Sequence, residues 1–273
     1  MKKKMMVPDF KTYKQEGKKW TWSICYDYTM ASIIDESKTD MILVGDSMGN
    51  VVLGMGSTVP VTVDMMIHHI KTVVKGAPNT FIVGDMPFGS YNVSCEQAIE
   101  TANRIMKEGG CDCVKLEGGV HMAPQIKAIV NSGIPVLGHI GLTPQSISAL
   151  GGFKVQGASK EAADSLVADA IAVEEAGAFS ICVECVPSVV AKKMTETLKI
   201  PTLGIGAGPF CDCQELNLYD MCGLFGDFKP KFVKQYLELR KPIVDALDKF
   251  YEETVNGTFP TPEFSYNVQI EGY

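Results

Sequence analysis

Short apolar runs that stop at an ionisable residue recur along this chain. Met41-Ile-Leu-Val44 leads into Gly45-Asp46-Ser47, Phe81-Ile-Val-Gly84 into Asp85, and Ser180-Ile-Cys-Val183 into Glu184. Cys113-Val-Lys-Leu-Glu117 ends in an acid and Ile134-Pro-Val-Leu-Gly-His139 in a histidine. A short apolar run bounded by glycine predicts a strand buried on both faces, as in a parallel sheet. These strands carry their ionisable residues at their carboxyl ends, the rim on which parallel α/β folds place their chemistry.

Between the runs the periodicity is helical. Asp27 is placed to cap a helix reaching about Ser37, and a helix from Thr62 to Lys75 puts Met66, Ile70 and Val73 on one face. Ser94 with Gln97 forms a capping-box pattern for a helix to Glu108, which Gly109-Gly110 stops. Further helices are expected over His121–Asn131, from a Ser159 cap to Ala176, and over Ser188–Lys199. Pro8 to Gly17 predicts a short lead-in helix able to plug a barrel floor, Trp20–Cys25 the first strand and Pro201–Ile205 the seventh. Strand eight is assigned to Met221–Phe225, followed by a helix from Lys231 to Val255 whose Phe232, Tyr236, Ile243, Leu247 and Phe250 would close the outer ring. Some eight strand–helix cycles in 273 residues favour an α/β chain closed into a (β/α)8 TIM barrel, with residues 1–273 as one catalytic domain.

Composition narrows the partners. A net charge of -7 and a pI near 5.2 give no general attraction to nucleic acid or anionic lipid. Met1-Lys-Lys-Lys resembles the start of a signal peptide, but Asp9, Lys11 and Lys14 stand where its apolar stretch should be. A cytoplasmic location with no membrane association is expected. Nine cysteines, several inside apolar runs, are expected to be reduced and mostly buried, and only Cys182-x-x-Cys185 has a zinc-like gap.

Within Cys113–Glu117 a period of two puts Lys115 and Glu117 on one face, pointing into the barrel if Val114 and Leu116 face the helices. Charges in a core must be compensated, and Asp46, Asp85 and Glu184 are the available partners. Carboxylates converging on one pocket repel each other unless a cation lies among them. Oxygen donors without a His/Cys set indicate a hard ion, magnesium, with Asp46 and Asp85 as ligands and Glu117 orienting a bound water behind them. Each residue also has a plainer reading. Asp46, Asp85 or Glu184 could cap a helix, Ser47 could be a turn hydroxyl, His139 a core histidine, and Lys115 could pair with Glu117. Their recurrence on one rim favours a site. Magnesium with a lysine and a histidine nearby suits a small 2-oxo acid, whose chelated ketone acidifies the adjacent carbon, and Glu184, behind Ile181-Cys-Val183, is the candidate base.

The chain resembles the 3-methyl-2-oxobutanoate hydroxymethyltransferase family through Tyr26-Asp-Tyr28, Gly45-Asp-Ser47, Val51-Val-Leu-Gly54, Ser57-Thr58, Pro60-Val-Thr62 and Asp85-Met-Pro-Phe-Gly-Ser-Tyr91. The likeness continues in Val114-Lys-Leu-Glu-Gly118, Gly138-His-Ile-Gly-Leu-Thr-Pro144, Gly151-Gly-Phe-Lys-Val-Gln156, Glu184 and Gly204-Ile-Gly-Ala-Gly208. The resemblance implies a barrel like those of phosphoenolpyruvate mutase and isocitrate lyase, and transfer of a hydroxymethyl group from 5,10-methylenetetrahydrofolate to 3-methyl-2-oxobutanoate. It implies that Asp46 and Asp85 hold magnesium with support from Glu117, that Ser47, Lys115 and His139 grip the substrate, and that Glu184 is the base. It also implies a homo-oligomer, commonly a decamer. Gly56 replaces a usual acid, Cys213 interrupts the usual Asp-Gly-Gln as Asp212-Cys-Gln214, and Glu215-Leu-Asn-Leu218 is unusually polar. Two rivals are a magnesium-dependent lyase or mutase of the related barrels and a non-catalytic ligand-binding homologue. The first lacks its Lys-Lys-Cys-Gly-His loop here, and the second has no use for a buried base.

Overall fold

The computed structural model describes residues 2–226 and 229–272. Eight parallel strands close on themselves in chain order. They are β1 (Trp20–Ile24), β2 (Met41–Val44), β3 (Phe81–Asp85), β4 (Cys113–Glu117), β5 (Val136–Gly141), β6 (Ser180–Glu184), β7 (Thr202–Ile205) and β8 (Cys213–Asn217). Every residue of β2, β3 and β4 is buried, as expected of strands covered on both faces. The expected caps form: Asp27 accepts from Met30 N, Ser94 from Gln97 N and Ser159 from Ala162 N, and Thr62, expected only as the start of its helix, also caps it by accepting from Met65 N. Each side-chain oxygen satisfies one of the orphan donors of its helix's first turn. Helix Lys160–Glu175 packs tightly on β5, where a Cβ at Gly138 would stand 2.4 Å from Val173.

The lead-in helix, Val7–Gln15, does plug the floor. Phe10 is 1% exposed and its ring lies 5.8 Å from Trp20, 5.0 Å from Phe81 and 5.7 Å from Phe179. Trp20 and Phe81 open β1 and β3 and Phe179 precedes β6, so one side chain seals the amino-terminal end. Phe10→Ala should therefore cost about 3–5 kcal/mol of stability. Equilibrium urea unfolding will check this, and a loss below about 1 kcal/mol would mean that the floor collapses to fill the cavity.

Strand eight differs from the expectation at Met221–Phe225. The strand is Cys213–Asn217, and 221–225 instead contains a turn with Gly223 at φ +64°. The run Cys213-Gln-Glu-Leu-Asn217 is too polar to stand out, but it pairs along all five residues with β1 and through Cys213 and Gln214 with β7. Asp212 fixes where it starts: its Oδ2 accepts from Thr202 N at 2.9 Å and from Lys14 Nζ at 2.8 Å. The connection from β7 is too short for a helix. Gly206 at φ +61° and Gly208 at φ +79° make a tight turn there, and a Cβ on Gly208 would lie 2.4 Å from Ser188.

The chain divides into two compact units, one of residues 2–218 with 230–233 and the other of 219–226, 229 and 234–272. In the second, the helix expected from Lys231 begins only at Arg240 and runs to Val255. Pro242 sits in its first turn, where a missing N–H costs nothing. No residue of this helix is buried. All nine cysteines are free thiols, seven of them buried. Among the described residues no helix is long and apolar enough to cross a membrane.

Candidate active site at the carboxyl rim of the barrel

Parallel pairing places side chains of matched register next to each other on the same side of the sheet. Asp85 of β3 is matched with Lys115 of β4, Glu117 of β4 with His139 of β5, and His139 with Cys182 of β6. The expected site residues thus meet at one end of the barrel. Lys115 Nζ lies 2.8 Å from Asp85 Oδ1, close but off the hydrogen-bonding direction, and pairs with Asp85 rather than with Glu117. The backbone N–H of Asp46, two residues past β2, donates to Asp85 Oδ2 at 3.1 Å. His139 Nδ1 is 3.3 Å from Glu117 Oε1 and 3.5 Å from Lys115 Nζ, and its Nε2 is 3.1 Å from Glu184 Oε2 without hydrogen-bond alignment. Ser47 is half-buried beside them, its hydroxyl 2.8 Å from that of Tyr26.

Asp46, Asp85, Lys115, Glu117 and His139 are all buried, while the Glu184 side chain keeps 15% of its surface exposed. Burial pushes the Asp46 carboxyl well above the usual range, and the neighbouring Asp85 charge adds to the shift. Burial also raises Asp85, against the opposing pull of Lys115. Lys115 is raised in spite of burial, because Asp85, Glu117 and Asp46 all favour its ammonium form. His139 is raised too: burial opposes its charge, but Cys182 and Glu117 favour it. Cys182 is itself a buried thiol whose pKa burial raises.

Four carboxylates around one lysine leave an excess of negative charge that a cation would neutralise. Among the described residues no three His, Cys, Asp or Glu side chains are grouped to hold a metal ion. Magnesium asks for less, one or two carboxylates completed by water and substrate. Asp46 and Asp85 fit that smaller set. Among the described residues Asp46 receives a side-chain donor only on Oδ2, and Asp85 Oδ1 faces the Lys115 ammonium at 2.8 Å without an aligned hydrogen bond. Glu117 has both oxygens engaged within the protein, Oε1 near His139 and Oε2 accepting from Gln145 N at 3.0 Å, which suits an orienting role.

Two members of the site have no role assigned in the sequence analysis, although Tyr91 closes one of the motifs that carry the family resemblance. Gln145 is 4% exposed and donates from Nε2 to Asp46 Oδ2 and to Met86 O, both at 2.9 Å. Tyr91, 1% exposed, donates its hydroxyl to Gln145 Oε1 at 2.6 Å. The available signal was Pro144, which opens a short 3-10 turn just past β5 and turns the next residue inward. A further constraint sits beside Glu184. Cys185 has φ +48°, uncommon for a residue with a side chain, and its N–H donates to Ile205 O at 2.8 Å.

The fold matches solved structures of low sequence similarity. Phosphonopyruvate hydrolase, solved with oxalate and Mg++, superposes with a TM-score of 0.60 at 10% identity, covering 95% of this chain and 93% of that one. A 2,3-dimethylmalate lyase described as a PEP mutase/isocitrate lyase superfamily member gives 0.57 at 14% identity, covering 94% and 92%. The architecture is thus a closed (β/α)8 barrel, similar in fold to these two structures. Sequence relatives go further. The 3-methyl-2-oxobutanoate hydroxymethyltransferase of Heliobacterium modesticaldum is 55% identical over 271 residues, covering 99% of this chain and 98% of its own. The enzyme of the same name from Moorella thermoacetica is 50% identical, covering 96% and 98%. The family model described as ketopantoate hydroxymethyltransferase matches residues 4–262, and the chain belongs to that family of transferases.

Proposed function

We propose that this chain transfers a hydroxymethyl group from 5,10-methylenetetrahydrofolate to 3-methyl-2-oxobutanoate, giving 2-dehydropantoate for pantothenate and coenzyme A synthesis. The observation that carries the reading is the meeting of Asp46 and Asp85 beside Lys115, His139 and Glu184 on one rim. Asp46 and Asp85 would hold a magnesium ion, which when bound supplies Lewis acidity that polarises the 2-oxo group and acidifies the neighbouring C3–H. Lys115 and His139 supply positive charge and donors for the carboxylate and keto oxygens, and Ser47, held by Tyr26, adds a hydroxyl on the β2 side. Glu184, with the most exposed of the four carboxylates, takes the C3 proton, and the positive charge of His139 lies beside it, Nε2 3.1 Å from Oε2. The C3 carbanion equivalent then forms a C–C bond to the folate's one-carbon unit, water supplies the hydroxyl and tetrahydrofolate leaves. Assembly into a homo-oligomer, a decamer by the family resemblance, belongs to the same reading.

Enolisation can be tested apart from the folate step. With magnesium in D2O and no folate, the protein should wash deuterium into C3 of 3-methyl-2-oxobutanoate, seen as loss of the C3 proton NMR signal. A signal unchanged over hours at saturating magnesium would overturn the enolising role.

A further inference from the structure

The geometry points to Gln145 as a positioning residue that holds Asp46 as a one-oxygen ligand, with the polarity of its amide set by Tyr91. This inference rests on the reading of Asp46 as a ligand of a divalent cation. Both amide protons of Gln145 are used, one on Asp46 Oδ2 and one on Met86 O, each at 2.9 Å. The first contact withdraws one carboxylate oxygen from a cation and leaves the other to meet it. A carboxylate gripped on one side by a neutral donor keeps its full charge and loses the freedom to rotate into two-oxygen chelation.

An amide could occupy the same space turned through 180°, and the surroundings forbid it. The reversed group would set its oxygen against Asp46 Oδ2 and Met86 O, two acceptors, at hydrogen-bond distance. Tyr91 supplies the matching positive constraint. Its single hydroxyl proton has two acceptors in reach, Gln145 Oε1 at 2.6 Å and Glu117 O at 3.3 Å, and the much shorter contact favours Gln145, while the hydroxyl oxygen accepts from Glu117 N at 3.2 Å. Gln145 also reaches the second carboxylate through its backbone, whose N–H donates to Glu117 Oε2 at 3.0 Å. One residue in the loop after β5 therefore sets the orientation of acids on the β2 and β4 sides of the rim.

The test is a Mn2+ titration of the full chain, read by the electron paramagnetic resonance signal of free Mn2+. It compares wild type, Tyr91→Phe, Gln145→Met and the double variant. Gln145→Met should weaken Mn2+ binding roughly 10- to 100-fold, the range for residues that orient a metal ligand, and Tyr91→Phe by less. Adding Tyr91→Phe to Gln145→Met should cause no further loss, because Tyr91 acts through the amide. A merely structural contribution of the two side chains would instead add. Equal affinity in all four proteins, or additive losses, overturns the inference. If Gln145→Met does not fold, Tyr91→Phe decides alone, and unchanged affinity in it is the refuting result. A wild-type protein that binds no Mn2+ would overturn the cation reading, and this inference with it. Wild-type binding that survives the variants sinks the positioning role only.

Discussion

Glu184→Gln should lower C3 deuterium exchange and overall turnover by about 10²- to 10⁴-fold, the usual worth of a positioned general base. Binding of 3-methyl-2-oxobutanoate should change little. The replacement keeps the shape of the side chain and removes only its ability to take a proton. The backbone will not move with it. Glu184 O accepts from Leu142 N at 2.8 Å, and the next residue, Cys185, is held at φ +48° by its own bond to Ile205 O. The side chain therefore stays at the end of β6, facing His139. Exchange rates by proton NMR, with substrate affinity by calorimetry, separate the two effects. Exchange within tenfold of wild type would place the base elsewhere, and equal loss of binding and exchange would make Glu184 a binding group.

Asp46→Asn should do two opposite things. It should abolish stabilisation by magnesium, and it should raise the melting temperature of the cation-free protein. The second effect follows from the sign of the Asp46 shift. Burial first, and the Asp85 charge second, raise its folded pKa well above the unfolded carboxyl value of about 3.9. The unfolded chain gives up this proton more readily, so ionisation opposes folding. That cost is absent below the unfolded pKa, grows as pH rises, and is complete once the folded pKa is passed. Asparagine removes it at every pH and still offers an oxygen to Gln145. The variant should therefore melt above wild type at neutral pH, by about 2–4 °C per kcal/mol of cost removed, with the gap closing towards pH 4. Added magnesium should reverse the order, since only wild type gains stability from binding. Melting curves with and without magnesium across this pH range check both halves. A variant that melts below wild type without the ion would overturn the ionisation cost, and one that magnesium still stabilises would remove Asp46 from the ligand set.

The strands and caps that were legible share a physical cause. Met41–Val44, Phe81–Asp85 and Cys113–Glu117 are buried on both faces, so their composition is apolar whatever their neighbours are. Asp27, Ser94 and Ser159 act within three residues of their own position, and a local contact leaves a local signature. Cys213–Asn217 had no such signature. It is a strand because β1 and β7 hold it from both sides, and only Cys213 and Glu215 of its five residues are buried, which leaves no apolar run. The late start of the helix at Arg240 was written in Pro242 and obscured by the apolar spacing upstream of it.

The sequence by itself determined that acids, a lysine and a histidine end successive strands, and by resemblance it indicated the family. Only closure of the barrel decided how those groups are shared out. Along one strand Lys115 and Glu117 stand roughly 6–7 Å apart, whereas a neighbouring strand brings its matched residue to about 4.8 Å. Lys115 therefore pairs sideways with Asp85, and Glu117 turns to His139. Gln145 and Tyr91, lying in different loops, gain their meaning only when the rim brings them to Asp46. Lateral distances between strands exist only after folding, so no spacing along the chain could have carried them.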